Sequence, residues 1–235
     1  MSLEPAPEHF LYETAGPVTT ITFNRPHKRN GLDRGVVLEL ERLVHQVRDD
    51  RDCKVLVVTG TGNSFCAGAD LTLARDAKDP DERRRIQAEM ARVPRVIGRI
   101  FDVLAHLDVM TIAAINGYAV GGGWSFALAF DYCVAVEEAE FWVPEVEIGV
   151  PFVGLPAVTL TERLGPWLAK EAMIMCRRFS ARELAALGVL NRVTPADGLE
   201  AAVKEAVDRF LALPFRPSVL TKRGVNAVLY GQRLF

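Results

Sequence analysis

The sequence predicts an α/β core that runs into an α-helical C-terminal region, and three observations carry that prediction. Short, largely apolar segments at Val55–Val58, Thr111–Ile115 and Cys133–Val136 suit strands of a sheet covered on both faces. Segments of helical period lie between them. Beyond Pro144 the pattern is helical apart from one short strand at Asn191–Thr194. On this basis residues 1–195 form the core and 196–235 the helical C-terminal region.

Taken in order, Thr19–Phe23 alternates β-branched and aromatic residues and ends at Asn24-Arg25-Pro26, as a strand should. Asp33 is placed to cap a helix whose apolar stripe is Val36, Val37, Leu40, Leu43, Val44 and Val47. Val55–Val58 closes at Thr59-Gly60-Thr61-Gly62, and the loop Asn63–Asp70 follows. Pro80–Leu107 is charged and mostly helical in pattern, interrupted at Pro94; its arginines, Arg83, Arg84, Arg85, Arg92 and Arg95, read as a solvated face. After Thr111–Ile115 come Asn116-Gly117, the run Gly121-Gly122-Gly123 and a short apolar helix at Ser125–Phe130. Helices are then expected at Ala157–Leu164, Pro166–Cys176, Ser180–Leu187 and Leu199–Leu213.

Composition narrows the function. Lys plus Arg number 28 and Asp plus Glu 30, a formal charge of −2, which argues against a partner that is nucleic acid or an anionic membrane. Cys53, Cys66, Cys133 and Cys176 are scattered, without metal-ligand spacing, and read as buried thiols of a cytoplasmic protein that needs no metal. The first ten residues lack a basic and apolar leader, and no stretch reaches the ~18 apolar residues of a membrane span.

Two nucleotide motifs fail on inspection. Gly60-Thr61-Gly62 meets Phe65 where a dinucleotide fingerprint needs its third glycine. Gly117–Gly122 is followed by Gly123-Trp124, where a phosphate loop needs Lys and Ser or Thr. Gly123-Trp124-Ser125-Phe126-Ala127 is one glycine short of a nucleophile elbow, yet His9, His27, His45 and His106 all precede Ser125. That leaves a serine hydrolase as a minor alternative. The glycine run itself permits close backbone approach, and either an anion site or a tight strand-to-helix connection satisfies it. The small-residue loop Ser64–Leu71 poses the same choice, and two such loops side by side would make a two-donor oxyanion hole.

Phe65-Cys66-Ala67-Gly68-Ala69-Asp70-Leu71, Ile112–Gly123 and Phe141–Gly149 together resemble the signature blocks of the crotonase superfamily, the enoyl-CoA hydratase/isomerase family. Asn24-Arg25-Pro26 with Asn30-Gly31-Leu32 is similar to its first block, Phe179-Ser180-Ala181 through Leu190 to its late one, and the likeness runs from about Phe10 to Ala227. The resemblance implies a crotonase-like spiral of ββα turns, a helical C-terminal region used in a homotrimer or a dimer of trimers, and an acyl-CoA thioester substrate. No separate cofactor is implied, coenzyme A being part of the substrate. The oxyanion amides would be those of Ala69 and Gly122. The coenzyme A moiety would lie over His27, Lys28 and Arg29, beside Ala67, Asp70 and Leu71, with Trp124 at the pocket wall.

The family's hydratases bring two glutamates to the reacting carbons. Glu145 matches one of them; where the other belongs this chain has Ser125. A serine hydroxyl is a poor base near neutral pH, whereas one carboxylate suffices to move a proton between two carbons. Double-bond isomerisation is therefore preferred here. Hydration by Glu145 with Ser125 and a water, or a non-catalytic acyl-CoA binder, are the alternatives, and Glu147 is a weaker candidate to share the work. Val150–Pro156 replaces a stretch that is glycine-rich in the hydratases, which should make the acyl pocket narrower or more apolar. The chain ends at Phe235, where relatives usually continue, so the trimer-forming part is expected to be short or incomplete.

Overall fold

The computed structural model describes residues 6–70, 79–82, 84–85 and 93–229. Two sheets form its frame. The larger has the order β1-β2-β3-β5-β7-β10, built from Phe10–Ala15, Val18–Phe23, Val55–Gly60, Met110–Ile115, Tyr132–Val136 and Arg192–Thr194. The smaller has the order β4-β6-β8-β9, built from Ser64–Cys66, Tyr118–Val120, Glu140–Trp142 and Phe179–Ser180. The β1–β2 and β8–β9 pairs are antiparallel and the remaining pairs parallel.

The chain alternates between the sheets. Each of β3, β5 and β7 is followed by a strand of the small sheet (β4, β6, β8) before a helix returns the chain, which is a spiral of ββα turns. Those helices are α2 (Val93–His106), α3 (Gly122–Leu128) and α4 (Leu155–Ile174), the last broken at Gly165, where φ is 73°. The helix α1 (Arg34–Asp49) precedes them, and α5 (Ala181–Ala186), α6 (Leu199–Leu211) and α7 (Phe215–Leu229) follow.

Register explains the continuous apolar strands. Ile21, Val58, Ala113 and Cys133 stand side by side across four strands, all buried against the main core. On the opposite face Val57, Ile112 and Val134 meet Ala202 and Val207 of α6. With both faces covered, alternation has no use. Asp33 accepts the Val36 N–H at 3.0 Å and caps α1, and the predicted stripe from Val36 to Val47 is buried.

The structure differs from expectation in two places. α3 begins at Gly122 rather than Ser125, which puts the glycine run inside its first turn. The strand β1 went unsignalled, and so did the small sheet, whose strands of two or three residues are too short to display a period. The helix α7 falls in the region expected to be helical, although no bounds were expected for it. It is held by Lys222, whose buried Nζ lies 2.8 Å from Asp131 Oδ2 and donates to the Val109 carbonyl. The same Asp131 oxygen accepts from the Thr111 N–H and hydroxyl, so α7 is fastened to the amino ends of β5 and β7. A cavity of about 520 Å³ lined by Met110, Phe210, Leu213 and Pro217 lies beside this bond, at the end of the sheet away from the loops described below. Of the basic run, Arg84 is exposed and pairs with Asp81, whereas Arg83 and Arg92 lie outside the described residues.

Removing one member of a buried ion pair strands the other charge, at a cost of about 3–5 kcal/mol. Lys222→Ala should therefore lower unfolding free energy by about that amount in urea titration. A loss below about 1 kcal/mol would mean that the pair does not hold α7.

Candidate active site

The loops at the carboxyl ends of β2 and β3 are tied together by one buried side chain. Asn30 adopts a left-handed conformation (φ 56°) and is fully buried. Its Oδ1 accepts the Arg25 N–H at 2.9 Å, and its Nδ2 donates to the carbonyls of Thr61 and Ser64 at 3.1 and 2.7 Å. Ser64 Oγ sits 3.1 Å from the carbonyls of both Arg29 and Tyr118, joining the first loop to the small sheet. A buried amide with this many partners is costly to displace, so the loops share one geometry.

From that frame the segment after β4 passes Leu32. The Leu32 N–H donates to the Gly68 carbonyl at 2.7 Å, and the Asp70 N–H donates to the Leu32 carbonyl at 2.9 Å. Both bonds point to one side, so the intervening Ala69 N–H points to the other. Ala69 is exposed. Gly68 (φ 74°) lies so near the next loop that a Cβ there would stand 2.6 Å from the Val120 carbonyl oxygen and 3.4 Å from the Gly122 nitrogen. Only glycine permits that approach.

Gly122 is the first residue of α3, and its N–H has no partner within the helix. Glu145 lies in the turn after β8. A Cβ on Gly121 (φ 51°) would stand 2.0 Å from Glu145 Oε1, so the missing side chain is the space the carboxyl occupies. Burial pushes the Glu145 carboxyl up from 4.5 to about 7, while the amides of Glu145 itself and of Gly122 pull it down. Its Oε2 is buried and accepts no hydrogen bond from the described residues. A carboxyl half-ionised near neutral pH, beside the Gly122 amide, can both take and return a proton.

The structure thus brings the loops of Ala69, Gly122 and Glu145 together. It also brings the first loop to the second: the Ala67 N–H donates to the Arg29 carbonyl at 3.0 Å, and Asp70 lies 3.9 Å from Lys28 and 3.7 Å from Arg25. His27 and Arg29 are exposed, the Arg29 guanidinium 5.9 Å from the centroid of Tyr118. Leu71 lies outside the described residues.

Two expected site residues have other surroundings. Trp124, expected at the pocket wall, is fully buried between Phe141 and Phe179, its ring centroid 5.8 and 5.6 Å from theirs. Ser125, considered as a holder of water, is also fully buried and donates its hydroxyl to the Pro156 carbonyl at 2.9 Å. Both face the core because α3 is apolar all round. Glu147 is exposed, which does not place it beside Glu145. No group of three or more His, Cys, Asp or Glu among the described residues could hold a metal ion, and no described helix is long and apolar enough to cross a membrane. Burial holds the Cys66 and Cys133 thiols up at about 12, so neither is a nucleophile at neutral pH. Sequence reasoning placed Asn30 and Gly68 inside family motifs but gave neither a role; the signal for both was a small or turn-forming residue.

The chain has matches among known proteins. Residues 13–229 match the family model described as enoyl-CoA hydratase/isomerase. The chain is 30% identical over 225 residues to a crotonyl-CoA hydratase of Syntrophomonas wolfei, covering 93% of this chain and 82% of that protein. It is 34% identical over 197 residues to a carnitinyl-CoA dehydratase of Proteus mirabilis, covering 83% and 72%. Among solved structures, an enoyl-CoA hydratase from Bacillus anthracis superposes with a TM-score of 0.82 at 27% identity, covering 93% and 82%.

Gly121→Ala tests the geometry directly. The new methyl group must push the carboxyl away from the Gly122 amide, so turnover should fall by about a hundredfold or more. Circular dichroism and melting should still report a folded chain. Full activity in this variant would show that the observed seat of Glu145 is not the working one.

Proposed function

The chain belongs to the enoyl-CoA hydratase/isomerase family, and from that premise we propose that it moves a proton between carbons of an enoyl-CoA thioester, with Glu145 as acid and base. The N–H groups of Ala69 and Gly122 receive the thioester oxygen and hold it as it takes on enolate charge, a role typically worth about 2.7–4 kcal/mol per donor. The Glu145 carboxylate removes a proton from the α-carbon. The freed electron pair delocalises through the thioester and the neighbouring double bond, and the resulting carboxylic acid returns the proton to the γ-carbon. A 3-enoyl-CoA becomes a 2-enoyl-CoA, with no atom gained or lost.

The observation that favours this reading is the seat of Glu145 against Gly121 and Gly122, combined with a Ser125 hydroxyl spent on Pro156. A second reading, addition or removal of water, is favoured by the names of the relatives, one a crotonyl-CoA hydratase and another a carnitinyl-CoA dehydratase. It needs a second group to orient the water. Exposed apolar side chains at Trp167, Ile174, Met175, Val225 and Val228 support the homo-oligomer expected from the family.

Separate assays with trans-3- and trans-2-enoyl-CoA distinguish the two. Conversion of the 3-enoyl to the 2-enoyl ester, faster than either is hydrated, is the expected result; hydration alone would establish the second reading. Glu145→Gln should lower kcat by about a thousandfold and leave acyl-CoA affinity within a few-fold. The proton is taken by the ionised form, so kcat/KM should fall about tenfold per pH unit below about 7, where the carboxyl is protonated. An acid limb near 4.5 would exclude Glu145 in this environment as the base.

A further inference from the structure

The segment that carries Glu145 runs from Trp142, the last residue of β8, to Leu155, the first of α4. Both of its ends are fastened to the same five residues. At one end the Gly121 N–H donates to the Trp142 carbonyl at 2.8 Å. At the other, the Ser125 hydroxyl donates to the Pro156 carbonyl at 2.9 Å in a buried bond. The five residues are closed on themselves, the Ser125 N–H donating to the Gly121 carbonyl at 3.2 Å.

The segment is also held by Val143, fully buried in the main core, and by Phe152, which packs against that core. The Val150 N–H donates to the Glu145 carbonyl at 2.8 Å and the Ile148 N–H to the Pro144 carbonyl at 3.3 Å, but these bonds are internal to it. Val146, Ile148, Val150 and Val153 are exposed and lend no core packing. Beside that packing, two clamps tie the ends of the segment to Gly121–Ser125, one main chain to main chain and the other from a side chain. The hydroxyl stands where two-acid members of the family carry their other glutamate, and its single proton is committed to Pro156.

We propose that Ser125 is a positioning residue, which holds Glu145 against the Gly122 amide by anchoring the far end of its segment through the Pro156 carbonyl. This rests on Glu145 as the acid and base of the reaction. Ser125→Ala removes the hydroxyl's bond to the Pro156 carbonyl and loosens that end of the segment. Among the described residues the Glu145 carboxyl feels burial and two amides and no neighbouring charge, so a looser seat acts mainly through water entry.

The experiment is a titration of the full chain carrying 13C-carboxyl glutamate, followed by NMR, with the Glu145 resonance assigned from Glu145→Gln. The native midpoint is expected near 7. In Ser125→Ala it should move down by about one unit as water enters. The same variant should lose about tenfold in kcat, with KM changed by less than about twofold. Ser125→Thr keeps the hydroxyl and should restore both. Ser125→Cys, a weaker donor, should fall between and serves if the alanine variant does not fold. An unmoved midpoint overturns the proposal, whether kcat is unchanged or lost; loss of kcat with an unmoved midpoint would make the hydroxyl a participant in the chemistry. Because the titration needs no turnover, a native chain inactive on every enoyl-CoA would refute the proposed reaction and still leave the anchoring role decided by the midpoint.

Discussion

The site depends on the distance at which main chains pass one another. Gly68 brings the segment after β4 against the Val120 carbonyl and the Gly122 nitrogen, and Gly121 leaves the Glu145 carboxyl the volume a methyl group would fill. Neither approach gains much from a side-chain contact. Both are close approaches that any Cβ would forbid, and at these two residues φ is positive as well, so the backbone conformation makes the same demand. Once the loops stand at this separation, the Gly122 amide and the Glu145 carboxyl become neighbours without further machinery.

The rest of the fold maintains that separation. A parallel sheet covered on both faces gives the strand ends a common level, and the spiral delivers consecutive loops to the same end. Asn30 and Ser64 then fix the loops to each other with buried hydrogen bonds. Confinement raises the affinity of Glu145 for its proton until the group is poised near neutrality. Packing, not a neighbouring charge, prepares the base.

Much of this was readable in the residues. The apolar runs Val55–Val58 and Thr111–Ile115 announced buried strands, and the stripe from Val36 to Val47 announced α1, because burial imposes a period on any element long enough to show one. The small sheet escaped for the opposite reason: Tyr118–Val120 and Glu140–Trp142 span too few residues for alternation to register. Gly121 and Gly122 were recognisable as a place of close approach, but nothing local says what approaches. That partner is Glu145, in the turn after β8, found only through the family resemblance. Trp124 and Ser125 show the limit from the other side. A motif places residues in sequence, whereas the rotation of α3 decides which of them meet the core, and it turns both inward.

The whole account converges on where a thioester oxygen sits, and a crystal structure with a non-reactive acyl-CoA measures it. The predicted complex has that oxygen within about 3 Å of the amide nitrogens of both Ala69 and Gly122, with the Glu145 carboxyl beside the α-carbon. An oxygen held elsewhere, or a carboxyl turned away from the α-carbon while the two amides stay empty, would contradict it.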